Sequence, residues 1–117
     1  MKQVKIVFSD ESKKVLAYLL AKSKQSKTER MMLKAISKKT NLIKIDKNYG
    51  NPIAKKLIPK EYILKHNAKN LFRVELPCFW RMLYTIRAEY NTIEIIAFVI
   101  DILDHKNYNK KFDYKNY

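Results

Sequence analysis

Residues 70–86 read NLFRVELPCFWRMLYTI, and the way this stretch alternates decides the fold. Phe72, Val74 and Leu76 fall on one side of an extended chain, and Leu71, Arg73 and Glu75 on the other. After Pro77, Trp80, Met82, Tyr84 and Ile86 alternate with Arg81, Leu83, Thr85 and Arg87. A period of two marks strands. A tight turn through Pro77–Phe79 makes the two runs a hairpin with Glu75 opposite Arg81 on one face. The run TIEIIAFVI (92–100) is β-branched and apolar on both faces, as a central strand is. With a turn at AEYN (88–91), residues 71–76, 80–87 and 92–100 make a three-strand antiparallel meander.

Upstream the period is helical. QVKIVFS (3–9) alternates as a strand, and Ser9 then caps a helix with Asp10 and Glu11 in its first turn. That helix runs to about residue 25 and carries Val15, Leu16, Leu19 and Leu20 at helical spacing. Ser26 and Glu29 form a capping-box signature. A second helix to residue 46 offers Met32, Ala35, Ile36, Leu42, Ile43 and Ile45 as buried positions. The short break between the two predicts an antiparallel helical hairpin. KNYGNP (47–52) stops the second helix, and Pro59 opens a short third one, PKEYILKH. DHKNYNKKF (104–112) reads as a short helix or an edge segment, followed by a tail. The fold class is therefore α+β: an N-terminal strand and helical hairpin on an antiparallel sheet. The 117 residues suffice for one domain, 1–117, with one core. The sheet face away from the hairpin must go bare to water or form a site.

Net charge is +14. It is unevenly placed: residues 1–70 hold 18 Lys and Arg against 5 Asp and Glu, whereas residues 71–117 hold 7 against 6. This points to a polyanion. With 21 lysines to 4 arginines, the charge suits diffuse attraction to a nucleic-acid backbone more than base reading. Lys55, Lys56, Lys60, Lys65 and Lys106 are candidate RNA-backbone contacts. A lone cysteine, Cys78, excludes an intrachain disulfide and fits a cytoplasmic setting. The apolar runs are too short to span a bilayer, and the start of the chain lacks the features of a signal peptide. Two histidines and one cysteine without ligand spacing argue against a zinc site, so neither metal nor other cofactor is expected.

Three features together resemble the RelE/ParE superfamily of toxins from toxin–antitoxin pairs. They are NLFRVELPCFWRMLYTI, the strand-and-ending IEIIAFVIDILDHKNYNKKF (93–112), and the Pro- and Lys-rich connector NPIAKKLIPKEY (51–62). The resemblance implies two N-terminal helices on an antiparallel sheet, a free toxin that is monomeric, and a cognate antitoxin that neutralises it. For RelE-like members it implies cleavage of mRNA in the ribosomal decoding site. ParE-like members instead inhibit DNA gyrase, and a degenerate, non-cleaving RNA- or partner-binding member is a further alternative.

RNA cleavage without a metal needs a base for the 2′-hydroxyl, an acid for the leaving 5′-oxygen and cations on the phosphorane. Arg81 matches the family's strand arginine, which faces the phosphate; Arg73 on the same face would be a second clamp. A guanidinium in an apolar strand needs an anion, either Glu75 or a phosphate, and the two are compatible if substrate displaces Glu75. His105 carries the side chain that titrates nearest neutrality. Tyr108 matches the family's C-terminal tyrosine, to stack on a base or assist proton transfer. Many RelE-like members carry a cation shortly before that tyrosine; Ile102 and Leu103 stand there, and Lys106 is the nearest cation.

Overall fold

A computed structural model describes residues 3–88 and 94–112. The chain opens with strand β1 (Gln3–Phe8), followed by helices α1 (Asp10–Ser23) and α2 (Lys27–Ile45). A two-residue strand β2 (Asn51–Pro52), a 3₁₀ turn (Lys55–Leu57) and helix α3 (Lys60–His66) connect to the meander. The meander is β3 (Phe72–Glu75), β4 (Arg81–Ala88) and β5 (Glu94–Leu103), and helix α4 (His105–Lys111) follows. The expected turn at 88–91, apart from Ala88, the first two residues of the expected strand 92–100, and the tail beyond Phe112 lie outside the described residues.

The five strands form one sheet in the order β1-β5-β4-β3-β2. The meander is antiparallel, with Glu75 opposite Arg81 and Val74 opposite Met82, as the alternation requires. β1 joins the free edge of β5 in parallel, so the sheet is mixed. A parallel partner needs a long crossover, and the chain between β1 and β5 supplies one.

Both faces of the sheet are covered. On one, Leu19, Met32, Ile36 and Ile43 of the helical hairpin pack on Val74, Met82, Tyr84, Ala97, Val99 and Ile102. Trp80 joins this core, so it serves packing, as do Met82 and Tyr84. Ile45 and Leu20, apolar but at the ends of the hairpin helices, stay exposed. The second face is not bare. Tyr62 of α3 and Tyr108 of α4 pack there on Leu71, Leu83 and Ile100 in a separate core.

A β-bulge separates the two faces of β5 cleanly. Tyr84 pairs with Val99, but its neighbour Leu83 pairs with Asp101, leaving Ile100 as the extra residue. The side-chain alternation therefore slips by one. Val99 and Ile102 both face the hairpin, while Ile100 joins the second core and Asp101 bonds Tyr62 there. The start of α1 seals the bulge. Ser9 Oγ accepts from the Ser12 amide and donates to the Ile100 carbonyl, and Ser12 Oγ donates to the Val99 carbonyl.

Two local expectations are refined. Ser26 is the N-cap of α2, but its hydroxyl donates to the Glu29 carboxylate instead of capping the backbone. KNYGNP does follow the end of α2, and Gly50 within it stands without a positive φ. It is small because the chain lies tight against β3 and β4 there: a Cβ would meet Tyr84 Cε1 at 3.0 Å and the Arg73 carbonyl at 3.1 Å. The Tyr84 hydroxyl accepts from the Gly50 amide and donates to the Lys47 carbonyl, pinning this passage.

Candidate functional site

Arg73, Glu75 and Arg81 project from β3 and β4 on the face that carries α4. Arg73 Nε lies 2.9 Å from Glu75 Oε1, and Arg81 Nε lies 2.9 Å from Glu75 Oε2. One carboxylate thus bridges two guanidiniums. The carboxylate is half exposed (51%), while the Arg81 side chain is largely covered (15%). The cations are built in and the anion faces water.

Tyr108 underlies both arginines. The Arg81 guanidinium carbon sits 5.0 Å and that of Arg73 6.0 Å from the centre of its ring. Arg73 Nη1 donates to the Tyr108 hydroxyl at 3.1 Å. An aromatic face with cations stacked over it holds them in place. Tyr108 is only 1% exposed, so a base cannot stack on it in this arrangement; it positions the guanidiniums.

α4 brings His105 to the same end, one helical turn before Tyr108. The helix starts there because Asp104 caps it, its Oδ1 accepting from the Asn107 amide. Asp104 is therefore a cap and not the orienting partner of His105. The exposed imidazole has Asn109 Nδ2 3.2 Å from its Nε2, and its ring centre lies 5.9 Å from that of Phe79. Phe79 belongs to the 3₁₀ turn Pro77–Phe79 between β3 and β4, and its carbonyl accepts from Arg81 Nη1. Arg73, Arg81 and Tyr108 are in contact, and His105 lies at the same end of the sheet, against Phe79. The other two arginines hold backbone: Arg30 donates to the Ser23 carbonyl and Arg87 to the His66 carbonyl.

The candidate RNA-binding lysines do not touch this cluster in any described contact. Lys55 and Lys56 are exposed on the 3₁₀ turn, and Lys60 on α3 is exposed too. Lys65 pairs with Glu11, and Lys106 is exposed on α4. Ile102 is buried in the hairpin core, on the far side of the sheet from the arginines, and Leu103 packs beside the second core. Neither position brings a cation to the site.

Two residues of interest carry no signal in the alternation. Phe79 sits in the turn, where no strand period applies. Asp101, in FVIDIL, is a lone acid in an apolar strand, and the reasoning that singled out Arg81 applies to it equally. Its Oδ2 accepts from the Tyr62 hydroxyl at 2.6 Å, and burial pushes its carboxyl above the usual carboxylate range. Among the described residues, no three His, Cys, Asp or Glu side chains gather as metal ligands would, and no helix is long and apolar enough to cross a membrane. No family model, no curated protein and no solved structure matches this chain.

Proposed function

We propose that this chain is a RelE-like toxin of a toxin–antitoxin pair: a cytoplasmic endonuclease that cleaves ribosome-bound mRNA without a metal and is neutralised by a cognate antitoxin. One observation carries the reading. Two guanidiniums, fixed over a buried tyrosine ring, converge on a single solvent-facing carboxylate at 2.9 Å each. A carboxylate and a phosphate offer the same pair of acceptor oxygens to an arginine fork. Glu75 accordingly stands in for the scissile phosphate and yields when RNA arrives.

In that reaction the 2′-oxygen attacks the adjacent phosphorus, the 2′-proton leaves to a base, and the 5′-oxygen departs with a proton from an acid. The products are a 2′,3′-cyclic phosphate and a 5′-hydroxyl end. Arg81 and Arg73 would stabilise the charge that builds on the phosphorane. His105 would exchange a proton with one of the two oxygens. Tyr108 acts through the arginines and is a positioning residue.

The test compares Arg81→Ala with Glu75→Ala in purified protein and in growing cells. Arg81→Ala should stay folded and lose cleavage by roughly 10²–10³-fold, the size seen for other transition-state charge stabilisers. Arg81→Lys keeps the charge but not the fork, so it should lose activity as well. Glu75→Ala should stay folded and remain toxic. A folded, fully active Arg81→Ala protein would end the catalytic role of this residue. A second reading, a non-cleaving RNA-binding relative, is favoured by Ile102 and Leu103, which are built into the packing where a further cation is expected. Wild-type protein that binds RNA through Arg81 yet never cuts it would select that reading.

A further inference from the structure

The turn between β3 and β4 is built at a conformational cost. Cys78 and Phe79 are consecutive and neither is glycine, yet both have positive φ, 59° and 63°. L-residues adopt this region reluctantly, and side chains held there tend to be found where function needs them. Three hydrogen bonds hold the turn: the Trp80 amide to the Pro77 carbonyl, the Leu76 amide to the Trp80 carbonyl, and Arg81 Nη1 to the Phe79 carbonyl. The Phe79 ring itself gains little burial from it. The Phe79 ring is 72% exposed, while its neighbours Leu76 and Trp80 go into the hairpin core.

A large phenyl group is thus presented to water on a rigid, unfavourable backbone. Its carbonyl is tied to the guanidinium proposed to hold the phosphate, and the His105 ring lies beside it, tilted by 56°. We infer that Phe79 is the stacking platform for a nucleobase of single-stranded RNA, the one attached to the nucleotide whose phosphate occupies the Arg73–Arg81 fork. The inference rests on the proposed RNA function and adds a subsite to it. A flat apolar ring beside a phosphate fork matches a nucleotide, which is a flat ring beside a phosphate. Charge complementarity sets the position of the strand, and stacking is tolerant of base identity because every base has a π-face. The burial of Tyr108 leaves this task to Phe79.

The test uses a short single-stranded RNA with 2′-deoxy substitution to block cleavage, and abasic residues placed one position at a time. Phe79→Ala should weaken binding roughly 10-fold, within the range for one lost base–aromatic stack. Phe79→Trp should restore it. At one position, removing the base should weaken the wild type while leaving Phe79→Ala no worse than before. The ring is exposed, so truncation leaves the cores intact, and thermal melting of both variants should match the wild type. Binding lost in Arg81→Ala but unchanged in Phe79→Ala overturns this inference alone. An RNA loss in Phe79→Ala that simply adds to every abasic loss overturns it too. Intact RNA binding with lost toxicity in Phe79→Ala assigns the ring to a protein partner and also overturns it. A wild-type protein that binds no RNA, indistinguishable from Arg81→Ala, overturns the proposed function together with this subsite.

Discussion

At the scale of single residues, two polar groups lie where apolar ones belong, and they are resolved in opposite ways. Arg81 reaches a carboxylate at the surface. Asp101 is enclosed, and burial raises its pKa against the pull of the Tyr62 hydrogen bond and the Lys111 charge. Burial and the nearby Asp101 charge also push the Tyr62 hydroxyl well above the ordinary phenol range, so it stays a donor. The folded state thus holds the Asp101 proton more tightly than the unfolded chain does. That contribution to stability is fully present below the ordinary aspartate pKa of about 3.9 and is lost as pH rises through the folded value. Asp101→Asn keeps an acceptor for Tyr62 and should flatten this fall, with stability at pH 7 equal to or above that of the wild type. Tyr62→Phe should cost about 1–3 kcal/mol, more at pH 7 than at pH 4, because it leaves a buried acid without its donor. Urea unfolding of both variants at the two pH values checks this. An unchanged pH slope in Asp101→Asn would contradict it.

At the scale of elements, the strands and helices were legible and the devices joining them were not. The period change after residue 70 marked the meander, and the three-residue turn Pro77–Phe79 put Glu75 opposite Arg81. Arg73, Arg81, His105 and Tyr108 were also singled out: Arg81 by charge pattern and the resemblance, Arg73 by sharing its face, His105 as the side-chain type that titrates nearest neutrality, and Tyr108 by the resemblance. What could not be read was the bulge at Val99–Asp101, because both registers of an all-apolar strand look alike. The same ambiguity hid the run of β5 to Leu103, three residues beyond the expected end. Phe79 was missed because no pattern predicts positive φ at a phenylalanine. The packing role of Gly50 was not legible because a close approach comes from distant strands, not from neighbours. The bulge makes its own prediction. Ser9 is buried and serves both the α1 cap and the Ile100 carbonyl. Ser9→Ala should cost about 1–2 kcal/mol, the upper range for an N-cap. It should also lower hydrogen-exchange protection around the bulge. A loss of a few tenths, with protection unchanged, would show that the bulge holds itself.

For the whole molecule, the sheet divides the charge into two layers. Lys34 and Lys38 are exposed on α2, whose core side packs on the face opposite Arg73 and Arg81. Lys55 and Lys56 lie on a turn between Ile53 and Ile58, which pack in the second core on the site's side. The shortest dimension of the molecule is 22 Å. The Debye length is about 8 Å at physiological ionic strength and about 30 Å at 0.01 M. A short oligonucleotide held at Arg81 should therefore sense the near layer at physiological salt and both layers only when salt is very low. Reversing Lys55 and Lys56 to glutamate should weaken its binding and make the salt dependence shallower, without changing where RNA is cut, since backbone contacts carry little sequence information. Reversing Lys34 and Lys38 should leave affinity within about two-fold at physiological salt and lower it at 0.01 M. A ribosome, large enough to meet both layers, should respond to either pair. The comparison is made by titrating salt against each double variant, with oligonucleotide and ribosome in parallel. Wild-type binding that is flat with salt would show that the lysines serve only to keep the chain in solution.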